Sequence, residues 1–475
     1  MEGFFDVLKK LPISRHFRRY DDRGLAMSLI VRTVVVVSYI KLLVYIAISG
    51  AVLLFSNSPI FHIVGFGILV FGAMRIVRFD LAHPYVWYSF VFMMYSIGYP
   101  VLYIYGMTYD VYVYTKSLMF SQWLALVVFL LVLSPVKTDY SKLYGKKGKI
   151  ISSKPIMILA SIALVLTLFE ISTGNYSHKS EIYAEGSATV SIGFRMVLVF
   201  LVLFAVNSTL YGLAKSKLDI KMTLYAVGMI SLLVFFSGER DLIIRLLVIL
   251  LFIYYVIVSK SKLTKEVVIL GIISLAFLPF LTKYKYYGLT GQKSPANNNI
   301  ILDFLTSDFV SASKNMQILL LDQSSKGRFR GITWLFSILR ALNIDKLLNI
   351  SLLSPLGWYN DTYFAVGRAG QGFTLVGDGY VNFGYIGVVI LFAFVGLIAK
   401  ILYSRSNKGV YSFALYITSI PVFMYSIRAD LANLLSPLIN HNLLVVFGLQ
   451  LLLKILPDSQ NTRYHTSITE LGHYR

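Results

Sequence analysis

The chain has 475 residues, of which 57% are hydrophobic and 14% charged, and its mean hydropathy is +0.70. Soluble domains carry about a quarter charged residues, so this composition excludes a water-soluble enzyme and points to an integral membrane protein. The net charge is +21 and cysteine is absent, which removes disulfides and thiolate-bound metals.

The chain begins with a basic segment, Met1 to Arg23, followed by an apolar run too long for the core of a signal peptide. Apolar runs of about 17–25 residues then recur. Lipid offers the backbone no hydrogen-bond partner, and a helix satisfies its own, so each run reads as a transmembrane helix. About twelve are expected, near 33–55, 59–79, 84–105, 115–134, 155–172, 191–213, 221–237, 240–258, 266–282, 379–399, 409–428 and 436–455. The seventh and eighth are separated by only a few residues. Alternating short strands of an outer-membrane barrel are not seen. The expected organisation is a basic N-terminus (1–24), nine spans (25–282), a large outer loop (283–378), three more spans (379–455) and a C-terminal tail (456–475).

Every second connection is basic. Lys9, Lys10, Arg15, Arg18, Arg19 and Arg23 lie at the start. Lys137, Lys142, Lys146, Lys147, Lys149 and Lys154 join the fourth span to the fifth. Lys215, Lys217 and Lys221, then Lys260, Lys262 and Lys265, then Lys400, Arg405 and Lys408 follow later spans on the same side. By the positive-inside rule that side is cytoplasmic, as are both termini. The positive charge thus records topology and contact with anionic inner-leaflet lipid; it does not indicate nucleic acid.

Ser237-Gly238-Glu239-Arg240-Asp241 puts three charges between two apolar stretches. Arg195, Arg240, Arg245 and Arg428 fall near the outer ends of spans, where an ionisable group is costly unless it pairs or lines a cavity. Arg240 and Arg245, five residues apart, need not share a face. Glu239 and Asp241 fit a local ion pair at the helix start or an active-site pair. Arg195 fits snorkelling to the headgroups as well as ligand binding. Glu170 ends the fifth span and leads into a polar loop with His178, Lys179, Glu181 and Glu185.

The loop 283–378 is too long to be a simple connection. Two stretches in it, from Ile300 to Leu321 and from Ile332 to Leu348, have helical apolar spacing and read as amphipathic helices lying at the interface. Lys283-Tyr284-Lys285-Tyr286-Tyr287 and Trp358-Tyr359-Asn360-Asp361-Thr362-Tyr363 bracket it, as an interfacial aromatic belt or as a platform for sugar rings. It is rich in cations, among them Lys326, Arg328, Arg330, Arg340 and Arg368. That excess runs against the inside rule and calls for an anionic ligand. A lipid-linked diphosphate is one, and arginine suits it because the guanidinium donates to two oxygens at once.

The loop leaves through a glycine-rich run, Gly370-Gln371-Gly372-Phe373-Thr374-Leu375-Val376-Gly377-Asp378-Gly379-Tyr380-Val381-Asn382-Phe383-Gly384-Tyr385-Ile386-Gly387. Asp378 is expected at the N-terminus of the tenth span, as its cap or as a base. Gly384 and Gly387 are expected to let that span approach another helix. Near the last span, Asn440-His441-Asn442 is a polar run in which His441 is a buried histidine or a cavity-facing one. The seven histidines form no HxxxH pair and there is no Walker A loop, so neither a metal site nor an ATP motor is expected.

The arginine-bearing Ser-Gly turn between middle spans, the large outer loop and the glycine-rich run into Tyr380-Val381-Asn382-Phe383-Gly384-Tyr385-Ile386-Gly387 together resemble the Wzy-type O-antigen polymerases. The likeness of topology covers nearly the whole chain and that of motif only these short segments. The family pattern often places Glu before the Tyr-x-Asn-Phe-Gly run, where this chain has Asp378 and Gly379. The resemblance implies an all-α, GT-C-like polytopic fold in the bacterial inner membrane. It implies transfer of a growing glycan from undecaprenyl pyrophosphate to a new lipid-linked repeat unit. No cofactor or metal is implied, and a Wzz-type chain-length partner is. In that reading Arg240 leads the catalytic candidates, with Asp378, Asp241 and His441 as proton acceptors. Arg195, Arg245, Arg328, Arg330, Arg368, Arg428, Tyr380 and Asn382 bind the substrate. An O-antigen ligase shares the architecture, but ligases usually carry a critical loop histidine, and none occurs between His178 and His441. A lipid-linked oligosaccharide flippase is the alternative from another class; it needs charge deep in many spans, and here charge gathers at the outer ends.

Overall fold

The computed structural model describes residues 22–107, 113–144, 153–173, 192–237, 241–272, 309–348, 353–364 and 372–455. Among them the chain is helical, without a strand. The long helices are α1 (Asp22–Phe55), α2 (Pro59–Ile76), α3 (Pro84–Ile104), α4 (Lys116–Val132), α5 (Ser153–Ser172), α6 (Ile192–Lys215), α7 (Ile220–Ser237) and α8 (Asp241–Ile253, running on to Val258 as a π-turn). Then come α9 (Phe309–Leu321), α10 (Ile332–Ala341), α11 (Pro355–Tyr363), α12 (Leu375–Arg405), α13 (Val410–Ser426), α14 (Leu431–Pro437) and, beyond a π-turn at Leu438–Leu443, α15 (Leu444–Ile455).

Among the described residues eight helical stretches are long and apolar enough to cross a membrane, and all eight coincide with expected spans. Helices also stand at three more expected positions: α3, and the shorter apolar α4 and α13. The ninth expected span passes outside the described residues after 272. The two doubtful middle spans are separate helices, α7 and α8.

Successive long helices run up and down, and contacts between their ends show it. At one end Thr115 at the start of α4 meets Gln317 of α9 at 3.1 Å. At the other, Tyr255 donates to Asp80 at 3.0 Å and Tyr403 accepts from the Thr138 backbone at 2.9 Å. The first end, which carries the described residues of 322–364, is called the loop face below. The interior is an aromatic and aliphatic stack: Tyr88 lies on Phe129 with ring centroids 3.9 Å apart, and Phe92 meets Phe392 at 5.6 Å. The perimeter is apolar and exposed, as at Ile40, Val165, Leu224 and Ile390, which is the arrangement lipid favours.

The described part of the segment 283–378 packs into the helical body. α9 packs along α3: Ser313 accepts from the Tyr99 backbone at 3.0 Å, and Phe309 meets the Tyr95 ring at 4.9 Å. α10 packs against α14. Both helices therefore lie against spans, where the sequence led to the expectation of helices resting flat at the interface.

Candidate functional site at the loop face

The site begins with a break in α12. Phe383 (φ −141°, ψ 27°) and Gly384 (φ 61°, ψ −143°) are non-helical, and only glycine adopts the second pair readily. The chain doubles back there. A Cβ on Gly387 would stand 2.0 Å from the Gly379 carbonyl oxygen, and one on Gly379 would stand 2.7 Å from Val388 Cα. In a straight helix these positions are about 12 Å apart. Gly384 and Gly387, expected to admit a neighbouring helix, thus serve a contact within their own segment: Gly384 makes the turn, and Gly387 with Gly379 lets the two arms touch.

The tip of this hairpin is wrapped by the chain that leads into α10. Gly327 N donates to Tyr380 O at 3.1 Å and Phe329 N to Val381 O at 3.0 Å. Gly331 N donates to Asn382 Oδ1 at 3.0 Å. Gly327, Arg330 and Gly331 all have positive φ, at 67°, 48° and 89°, so the wrap is a run of tight turns. The Phe383 ring lies 5.4 Å from Trp334.

Asn382 is the hub of the buried side. Its amide nitrogen donates to Asp378 Oδ1 at 2.9 Å and to the Asp378 carbonyl at 2.8 Å, and its oxygen also accepts from the Thr333 hydroxyl at 3.0 Å. Asp378 is fully buried and has donors on both oxygens: Trp334 Nε1 at 3.1 Å on Oδ1 and Leu431 N at 2.8 Å on Oδ2. It therefore caps the last span across the fold, where capping of its own helix was expected. Asp430 caps the same helix as its N-cap, accepting from Asn433 N at 3.1 Å, and its other oxygen accepts from Ser354 at 3.1 Å.

The exposed side is cationic. Lys326, Arg328 and Arg330 are exposed on the wrap. The Arg328 guanidinium lies 5.3 Å over the Trp358 ring, and Trp358 meets Phe329 edge-on at 5.1 Å. Asp322, just before the wrap, accepts from the Tyr363 hydroxyl and from Ser324 N, which hold its carboxyl below the usual range. Arg428 is half-buried with its guanidinium 5.1 Å over Tyr425. Its carbonyl accepts from Phe373 N at 3.0 Å, tying the entry of α12 to the turn before α14.

The structure thus assembles Asp378, Asn382, Tyr380, Arg328 and Arg330 at one place, with the two arginines exposed and the other three enclosed. Tyr380 and Asn382 are buried, and Asn382 is consumed by hydrogen bonds, so neither presents its side chain to a glycan. Asp378 is likewise enclosed. Asp241 Oδ2 is paired with Arg245 Nε at 2.8 Å, and both side chains are largely covered, so the pair fits the local ion-pair reading. His441 lies ten residues beyond Leu431, about 15 Å along the last span, because that span starts earlier than expected. Arg195 is half-buried in the first turn of α6. Glu170 accepts from Ile192 N at 3.0 Å and so caps α6. Arg240 and Arg368 lie outside the described residues.

Trp334, Thr333, Ser354 and Asp430 were not singled out for this site. Asp430 had a local signal, an acid followed three positions later by Asn433 at a helix start; the others had none, since their partners lie far along the chain. No candidate metal cluster of three or more His, Asp or Glu occurs among the described residues. No family model matches this chain, and no curated protein or solved structure matches it.

Proposed function

We propose that the protein is a glycosyltransferase of the bacterial inner membrane that polymerises repeat units carried on undecaprenyl pyrophosphate. In this reading it has about twelve spans and its loop face is turned to the periplasm. Among the described residues the basic connections 215–221, 260–265 and 400–408 lie at the opposite ends of the helices, which supports that orientation. The observation that carries the reading is the wrap 326–331: exposed planar cations on a backbone clamped by three hydrogen bonds to the glycine-rich hairpin. A rigid cationic rim stabilises charge as it develops on a departing diphosphate, with no reorganisation during the reaction. The acceptor hydroxyl attacks the anomeric carbon, the bond from that carbon to the diphosphate oxygen breaks, and the electron pair leaves on the diphosphate. The hydroxyl proton passes to an oxygen of the departing diphosphate or to water, since Asp378 is enclosed and Asp241 is paired with Arg245. A chain-length partner of the Wzz type fits the same reading.

The test is the surface polysaccharide of a deletion strain, resolved as a ladder and complemented with the wild type or with Arg328→Gln/Arg330→Gln. A core bearing a single repeat unit in the deletion and short ladders in the double variant are expected. Polymer stranded on its lipid carrier would make the protein a ligase, and repeat units held in the cytoplasm would make it a flippase.

A further inference from the structure

α10 descends beside the last span in step with it. Near its start, Trp334 Nε1 and Leu431 N share the Asp378 carboxylate. Near its end, Asn343 Nδ2 donates to Asn440 Oδ1 at 2.9 Å. Both stretches advance nine residues between these ties, about 13 Å of rise. α10 therefore points from the loop face into the depth occupied by the last span.

Its faces are reversed relative to a helix in water. Thr333, Ser337 and Ala341, all small, are buried on the side toward α14. Ile332, Leu335, Ile338 and Leu342 are 44–54% exposed and form one stripe. The exposed Arg328 and Arg330 stand in the wrap that leads directly into the first residue of the stripe, Ile332. The order along the chain, from the wrap inward, is two arginines, then the aliphatic stripe. The wrap fixes the upper part and the Asn343–Asn440 bond fixes the lower.

A polyprenyl diphosphate has the same order: a compact, highly charged head and one long apolar chain. We propose that α10 is the seat of the isoprenoid chain of such a lipid, with the chain along Ile332, Leu335, Ile338 and Leu342 and the diphosphate on Arg328 and Arg330. The proposal rests on reading the wrap as the donor site. A phospholipid acyl chain would fit the stripe alone, but its monoanionic diester makes poorer use of two guanidinium forks than a diphosphate does. The stripe would then hold the donor at a fixed depth, so that its first sugar lies over the cationic rim.

The test uses the full chain in nanodiscs. One probe is geranylgeranyl diphosphate with a diazirine on its terminal isoprene; the other is phosphatidylglycerol with a diazirine near the end of one acyl chain. Labelled residues are mapped by mass spectrometry. The expected result is prenyl label concentrated on 332–342, displaced by unlabelled geranylgeranyl diphosphate and about tenfold lower in Arg328→Gln/Arg330→Gln, a loss of about 1.4 kcal/mol. Leu335→Asn, at an exposed position, is expected to lower the label while displacement by inorganic pyrophosphate of a head-group probe is unchanged. Label that is not displaced, or an equal pattern from the two probes, would overturn the proposal in favour of bulk lipid. Label on the stripe from a protein whose deletion leaves the ladder intact would sink the polymerase reading and keep the lipid seat.

Discussion

Gly387→Ala tests the contact between the two arms of the α12 hairpin. Glycine in a helix interior ordinarily destabilises by about 1 kcal/mol relative to alanine, so in a straight span this change would stabilise. In the doubled-back chain the new Cβ would sit 2.0 Å from the Gly379 carbonyl oxygen, against a practical minimum near 3.0 Å. The two arms must part by about 1 Å, and backbone cannot rotate aside as a side chain can. Overpacking of this kind costs about 1–3 kcal/mol, and with both sides being backbone the upper part of that range applies. Subtracting the gain in helix propensity leaves a net loss of about 2 kcal/mol. Gly228→Ala is the control, since Gly228 lies in α7 with nothing within 4 Å of an added Cβ; it should be neutral or slightly stabilising. The assay is the apparent unfolding temperature of both variants and the wild type, purified in one detergent and heated at one scan rate. If Gly387→Ala matched Gly228→Ala in sign, α12 would be continuous and the site built on its tip would fall with it.

Asn382→Ala should lower the unfolding temperature markedly, because it strips the Gly331 N–H of its acceptor and removes the amide donor from Asp378, at about 1–3 kcal/mol for each buried group left unpaired. Asn382→Asp should be worse still, since it sets a second carboxylate against Asp378 in place of a donor; equal stability of the two variants would contradict the hub. For Asp241 and Arg245, either single alanine variant should lose more than half of what the double variant loses, as expected when removing one member strands a covered charge; strict additivity in a double-mutant cycle would mean that the pair is not formed. Asp322, whose carboxyl is held low chiefly by Tyr363, stabilises the fold above the ordinary carboxylate value of about 3.9 and loses that contribution as pH falls through its lowered value. Tyr363→Phe should therefore flatten the dependence of unfolding temperature on pH below about 4, and an unchanged profile would show that the hydroxyl does not reach Asp322.

Much of the frame was written in the chain by itself. Apolar run length is a local property, and lipid leaves an apolar run no choice but helix, so eight expected spans reappear as helices with little change of position. The basic connections were legible for the same reason: they are short, and their spacing follows the spans. The Gly370–Gly387 run was recognised as special because repeated glycine is itself unusual. What it does was not legible. Whether Gly387 opposes another helix or its own segment depends on where the chain goes after residue 383, and that is set by the single turn at Gly384. The same holds for Asp378, an N-terminal acid by sequence whose cap falls on Leu431 because α12 and α14 start side by side. α10 is the plainest case. Its alternation of small and large residues marked two faces, but a periodic pattern does not say which face is wet. Only the packing of Thr333, Ser337 and Ala341 toward the last span turned the large aliphatic residues outward, and only two ties nine residues apart stood the helix on end.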